Sequence, residues 1–141
     1  MSEPRSRPVP ASDAISAPFW EAARNRTLVV QRCQSCGYYN HPPRSFCDAC
    51  LSQTLAFEPV SGRGHVYTFT VMHQRDVVGF ENDAPFINLV VELVEQPLLL
   101  MVSNLPIAER DRVTIGAPVE VWFEDRSEVT VIPQFRISVG A

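Results

Sequence analysis

Two Cys-x-x-Cys turns, Cys33-Gln34-Ser35-Cys36 and Cys47-Asp48-Ala49-Cys50, stand ten residues apart. Thiolates at this spacing grip one side of a tetrahedral ion, and a second pair closes the other side. All four coordination positions would then be protein sulfur. None is left for water or substrate, so the site would be structural rather than catalytic. Zinc is the expected ion, with iron as the alternative because four thiolates suit it too. Two disulfides are the third reading and need an oxidising compartment. Gly37 follows the first turn and can adopt φ > 0, which lets backbone N–H groups turn back toward sulfur. Leu51 holds the matching place in the second turn, where that conformation costs more.

Other chemistry is thinly represented. All 12 basic residues are arginine, which excludes a lysine Schiff base or a lysine general base. His65 and His73 are evenly spaced on one expected strand and share a face; His41 sits between the cysteine pairs. Glu81, Asp83, Glu92 and Glu95 read as solvated charges. There is no serine elbow and no glycine-rich phosphate loop. With the thiols spent on metal, independent catalysis is not expected. A net charge of −4 and a pI near 5.3 give no basic footprint for nucleic acid. Tyr67 and Phe69 could stack bases, so a single-strand-binding protein is kept as the rival class. The longest apolar run, Leu98–Val102, is too short to span a bilayer. The amino terminus lacks an apolar leader, so the expected compartment is a reducing cytoplasm.

The elements that must hold the cysteines follow from pattern. Residues 1–26 read as a Pro/Ser/Arg-rich frayed tail to Ala11 and a short helix starting at Pro18 and ending near Asn25. Thr27–Arg32 is a strand entering the first turn, residues 38–44 a short hairpin, and Thr54–Val60 the return strand. The metal module thus covers 27–60, too small to hold a core without its ion. Ser61-Gly62-Arg63-Gly64 breaks the chain. Residues 61–141 then read as five strands: His65–His73, Phe86–Val94, Leu98–Ser103, Val119–Glu124 and Val129–Ser138, the last interrupted by Pro133. A long connection spans 74–85, and a helical turn is expected after Pro106. The fold class is mostly β: an amino-terminal helix, a four-cysteine zinc ribbon, then a five-stranded OB-fold barrel.

One family resembles this text in order and spacing. The residues concerned are Phe19-Trp20-Glu21-Ala22, Gln31-Arg32-Cys33-x-x-Cys36-Gly37, Pro42-Pro43-Arg44, Cys47-x-x-Cys50 and Ser61-Gly62-Arg63-Gly64-x-Val66-Tyr67-x-x-Thr70. Ile115-Gly116-x-Pro118-Val119 and Pro133-x-Phe135 fit as well. The chain resembles, over about residues 18–137, the rubredoxin-like zinc ribbon plus OB-fold family long called domain of unknown function thirty-five. That resemblance implies a small accessory protein of acyl-CoA metabolism. Its partner would be a thiolase-like or enoyl-CoA hydratase-like enzyme, and it would bind acyl-CoA or serve as a scaffold.

On that footing Arg44, Arg63 and Arg75 are candidates for coenzyme A phosphates, and Tyr38 and Phe46 for its base. An acyl-CoA would lie between ribbon and barrel, with the 74–85 loop as its rim. Phe19 and Trp20 either cover the protein's own core or are candidates for partner contact. A scaffold that binds protein only is the remaining alternative.

Overall fold

The computed structural model describes residues 6–138. Helix α1 (Ala17–Arg24) is the first element, with Pro18 in its first turn. Asp13 and Ser16 brace its start by exchange: Ser16 N–H donates to Asp13 Oδ1 at 2.7 Å and Asp13 N–H to Ser16 Oγ at 3.1 Å. The i, i+4 pair Phe19 and Ala23 is its buried face.

Strands β1 (Val29–Cys33), β2 (Tyr39–Asn40) and β3 (Leu55–Pro59) form a three-stranded antiparallel sheet with β1 central. β1 carries its sequence directly into the first cysteine turn. Its pairing with β3 runs from Val29↔Pro59 to Cys33↔Leu55.

The second sheet has the order β6-β5-β4-β7-β8, built from β4 (Arg63–Met72), β5 (Phe86–Leu93), β6 (Leu100–Asn104), β7 (Pro118–Asp125) and β8 (Val131–Ile137). All four pairings are antiparallel, so the two outer strands, β6 and β8, run parallel. A short 3₁₀ helix (Ile107–Arg112) follows Pro106 and crosses from β6 to β7. The sheet curls until β6 and β8 meet, and side chains rather than a backbone ladder close the seam. Ser103 Oγ donates to Gln134 Oε1 at 2.9 Å and accepts Phe135 N–H at 2.8 Å, while Asn104 N–H reaches the same Gln134 Oε1 at 2.8 Å. Ser103 and Gln134 are both buried, so these bonds satisfy atoms that would otherwise cost free energy.

Two sequence expectations are refined here. β4 does not alternate cleanly, because its register with β5 shifts between Val66 and Thr68. This bulge re-aims the strand and moves the inward side from Gly64 and Val66 to Phe69. Pro133 does not interrupt β8, which pairs continuously with β7 from Val119↔Ile137 to Asp125↔Val131. Phe135 N–H points to the seam, and Pro133 shares its parity, so the missing donor faces away from β7 and costs no ladder bond.

Gly64 sits where β5 comes closest: a Cβ there would lie 2.3 Å from Glu92 O. The tail differs from the frayed expectation. Arg7 stacks over Phe80 at 3.6 Å from its centroid and pairs with Asp83 at 2.7 Å, fastening the amino-terminal segment to the 74–85 loop. Residues 1–5 of the expected tail lie outside the described residues. Among the described residues, no helix is long and apolar enough to cross a membrane.

One core unites the two sheets. Phe19 from α1 and Leu28, Val29 and Val30 from the ribbon belong to the same buried cluster as Val66, Leu89, Val91, Val119 and Phe135 of the barrel. Gln96, in the β5–β6 turn, adds a polar tie: Tyr39 N–H donates to its Oε1 at 2.9 Å, and its Nε2 donates to Tyr39 O at 3.0 Å. The side-chain amide thereby serves the edge of β2 as another strand would.

Candidate functional site

The two cysteine turns face each other at the tip of the ribbon. Each turn is closed by a backbone bond, Gly37 N–H to Cys33 O and Leu51 N–H to Cys47 O, both 2.9 Å. Gly37 has φ +80° and Leu51 φ +66°. The leucine adopts the left-handed backbone despite its Cβ, so the second turn reproduces the first. One N–H in each turn points at sulfur: Cys36 N–H to Cys33 Sγ and Ala49 N–H to Cys47 Sγ, each 3.4 Å. The Cys36 N–H holds the Cys33 thiol down to about 6, in favour of the thiolate a metal needs.

The four sulfurs lie within 4.8 Å of one another. Cys33–Cys50 and Cys36–Cys47 are each separated by 3.6 Å. Sulfurs placed tetrahedrally about 2.3 Å from one ion would stand roughly 3.8 Å apart, so the donors fit a metal. A disulfide needs about 2.05 Å, and all four cysteines are free thiols. Cys33 and Cys47 are buried while Cys36 and Cys50 are exposed, so the site is half sunk into the ribbon.

Of the residues that shape this tip, Gln31 and Arg32 stood in the string that carries the family resemblance and Asn40 stood in none. Asn40 is buried and its Oδ1 accepts Asp48 N–H at 2.9 Å, fixing the entrance of the second turn. Gln31, also buried, exchanges two 2.8 Å bonds with the backbone N–H and C=O of Arg44. Arg32 donates to Gly37 O at 2.9 Å and lies over the Tyr39 ring. A polar residue at a buried strand position was the one available clue to Asn40.

The remaining candidates do not converge. Arg44 pairs with Asp48 at 3.0 Å on the ribbon surface. Arg63 begins β4 on the barrel and Arg75 lies in the 74–85 loop. No contact joins the three among the described residues. Tyr38 and Phe46 are exposed beside the cysteine turns. His65 is engaged by Glu92, Nε2 to Oε1 at 2.8 Å. Of the two readings of Phe19, the structure shows core coverage: it is 8% exposed and belongs to the protein's own core, because the 19/23 spacing aims it inward, so it offers little surface to a partner.

A cavity of about 470 Å³ does open between ribbon and barrel. It lies on the α1 side and is walled by Trp20, by His41 and Pro43 of the ribbon hairpin, and by Val102 and Pro133 at the barrel seam. The 74–85 loop does not border it; that loop borders a smaller cavity with Arg7, Phe86 and Trp122. His41 packs against Phe19 with ring centroids 5.6 Å apart. Burial pushes the imidazole down to about 4, so it is neutral at pH 7.

Known proteins share this arrangement. Residues 20–56 match the family model described as the ChsH2 rubredoxin-like zinc ribbon domain, and residues 57–124 the model of the ChsH2 C-terminal OB-fold domain. The chain is 38% identical to the "Probable enoyl-CoA hydratase alpha subunit" of Thermomonospora curvata over 94% of its own length. It spans only 40% of that relative. It is 33% identical to the "DUF35 domain-containing scaffold protein" of Methanocaldococcus jannaschii, over 79% of this chain and 78% of that one. Among solved structures, "Ltp2-ChsH2(DUF35) aldolase" superposes with a TM-score of 0.82 at 34% identity, covering 92% of this chain and 99% of the other. With both family models matched in order and a scaffold protein aligned over most of its length, the chain belongs to the DUF35 family of rubredoxin-like zinc ribbon plus OB-fold proteins.

Proposed function

We propose that this chain is a non-catalytic accessory subunit that partners a thiolase-like or enoyl-CoA hydratase-like enzyme in acyl-CoA metabolism. The carrying observation is its likeness to the ChsH2(DUF35) component of an aldolase, across nearly the whole of both chains. The side-chain inventory supports the same reading. Its four thiols form one metal-ligating group, His65 is held by Glu92, and there is no lysine. A catalyst needs a nucleophile or an acid–base pair at hydrogen-bond reach of a substrate, and these groups do not supply one.

The metal in this reading is one structural zinc held by Cys33, Cys36, Cys47 and Cys50. It would fix the ribbon tip against α1 and the barrel, in a cytoplasmic setting where thiols stay reduced. Direct contact with coenzyme A is assigned to Arg44, Arg63 and Arg75, with Tyr38 and Phe46 as stacking surfaces. The half-buried Trp20 is the remaining aromatic candidate for partner contact.

Capture of the affinity-tagged chain from its native cell, with the retained protein identified by mass spectrometry, tests the partnership. A thiolase-like or hydratase-like enzyme is the expected catch. Turnover of an acyl-CoA by the isolated chain would remove the non-catalytic assignment, and tight low-salt binding to single-stranded DNA would favour the rival class. Elemental analysis at about one zinc per chain tests the metal; iron with its thiolate charge-transfer colour would replace it.

A further inference from the structure

Ser6-Arg7-Pro8-Val9-Pro10 form no helix or strand. Proline at 8 and 10 favours an extended backbone, and Arg7 is the one residue among them that is not exposed. Its guanidinium lies over the Phe80 ring at 3.6 Å from the centroid and meets Asp83 Oδ2 at 2.7 Å, while its Nε donates to Gly79 O at 3.1 Å. Its backbone rests against Gly79, where a Cβ would lie 2.7 Å from Arg7 Cα.

The 74–85 loop builds this seat with its own bonds. Phe80 stacks on Phe86 of β5, ring centroids 4.4 Å apart. Phe80 N–H donates to Val77 O at 2.9 Å and Asp83 N–H to Phe80 O at 3.0 Å, so successive turns fix both side chains. Gly79 N–H donates to Glu81 Oε2 at 2.8 Å, and Arg110 holds Pro85 O at 3.1 Å. Across the groove, Arg126 of the β7–β8 turn donates to Pro8 O. Arg126 also pairs with Glu124 at 2.6 Å, so Asp83 is the carboxylate that answers the guanidinium. A planar cation thus meets a ring face, a carboxylate and a carbonyl at once, which is what arginine recognition needs.

The loop and the turn join the first and second, and the fourth and fifth, strands of the barrel. Such loops flank the ligand face of OB folds, so residues 6–10 lie where a ligand of the fold would. Their hold is modest. The Arg7–Asp83 pair is partly exposed, which weakens it. A cavity of about 130 Å³ beside Arg7 reaches Leu105, Ile107 and Trp122, room that this segment leaves unfilled and that an apolar neighbour of a different arginine would occupy. With Arg7 gone, Asp83 would favour cations over the phosphates of a coenzyme or nucleic acid.

We propose that this groove is an arginine-binding site, filled within the chain by Arg7 and, in the working assembly, by an arginine on an extended segment of the partner enzyme. The arginine class rests on the geometry of the seat; the identity of the donor as the partner enzyme rests on the accessory-subunit reading. Residues 6–10 then act as a resident competitor that keeps Phe80 and Asp83 covered until the partner arrives.

The first test is calorimetry on the full metal-loaded chain carrying Arg7→Ala, with the capped peptide of residues 6–10 as probe. The peptide should bind, and its copy with citrulline in place of arginine, equal in shape but uncharged, about tenfold more weakly. Adding Asp83→Asn should weaken the arginine peptide about tenfold as well. Wild type should bind it at least tenfold more weakly than Arg7→Ala, because the resident arginine competes at high effective concentration. No heat at about 1 mM peptide, equal affinity of the citrulline copy, or equal affinity of wild type and Arg7→Ala overturns the site.

The second test repeats partner capture. Arg7→Ala should raise the affinity for the captured enzyme several-fold, and adding Asp83→Asn should reverse the gain. Capture that neither variant changes overturns the partner as occupant, as does a wild-type dimer that Arg7→Ala abolishes, which would assign the groove to a second copy. Peptide binding with no captured enzyme refutes the accessory reading and leaves the arginine seat; captured enzyme with no peptide binding refutes the seat and leaves the accessory reading.

Discussion

Leu51 does at φ +66° what Gly37 does at φ +80°, and it is 74% exposed while doing so. The spacing of the cysteines announces the metal site. The left-handed turn at Leu51 was legible only as a conflict between a residue type and the position it must fill. A side chain in this conformation costs about 1 kcal/mol. Leu51→Gly should therefore tighten the metal several-fold in a chelator competition and raise the melting temperature slightly, since no buried contact is lost. A weaker site in that variant would mean the leucine contributes something its exposure hides.

His41 makes a second prediction at the same scale. Its folded value near 4 lies below the ordinary 6.5 because burial disfavours the charged ring. The unfolded chain takes up this proton between pH 6.5 and 4 while the folded chain does not. The contribution is whole above pH 6.5 and is lost as pH falls through that window, amounting to about 3 kcal/mol at most. Acid release of the metal adds its own destabilisation in the same region. The observable is therefore the difference between the denaturation curves of wild type and His41→Leu as a function of pH. The wild type should lose more stability between pH 6.5 and 4; parallel curves would refute a buried neutral imidazole.

At the scale of elements, most strands were legible because apolar periodicity reports one-sided burial. The devices that join them were not, because each depends on what arrives from a distant part of the chain. Gln96 reads as turn punctuation beside Pro97, yet it satisfies both backbone groups of Tyr39, 57 residues away. Gln96→Ala should cost about 1–3 kcal/mol in denaturant melts, and far more than an alanine at the neighbouring exposed Leu98. Gly64 reads as part of a chain break, yet it lies inside β4, where β5 leaves no room for a Cβ. Gly64→Ala must push Glu92 O aside and should cost about 3 kcal/mol, at the upper end of overpacking. An alanine tolerated there without loss of melting temperature would show that the β4–β5 approach can relax. Neither role had a periodic signal, and only the wider Ser61–Gly64 spacing, through family resemblance, hinted that Gly64 mattered.

The whole molecule raises the question whether ribbon and barrel are two units or one. Composition shift and the Ser61–Gly64 break suggest two, and the two family models divide the chain near residue 56. The packing says otherwise. Leu28, Val29 and Val30 of the ribbon share one buried cluster with Val66, Leu89 and Phe135 of the barrel. Gln96 bridges them with two hydrogen bonds, and α1 packs on both. A ribbon of this size cannot hold its fold without the ion. If it melts, the barrel loses the side chains that cover one end of its core and leaves Phe19 and Leu28 without partners. Metal removal should therefore destabilise the entire chain. Heating the metal-loaded and chelated protein, with circular dichroism and Trp fluorescence as independent probes, should give a single coincident transition in the loaded form and a lower, still coincident one after chelation. A chelated protein whose barrel melts at the original temperature, with loss confined to signals from the ribbon, would show two independent units. In that case the ion could not be what holds the ribbon hairpin against α1 and the barrel.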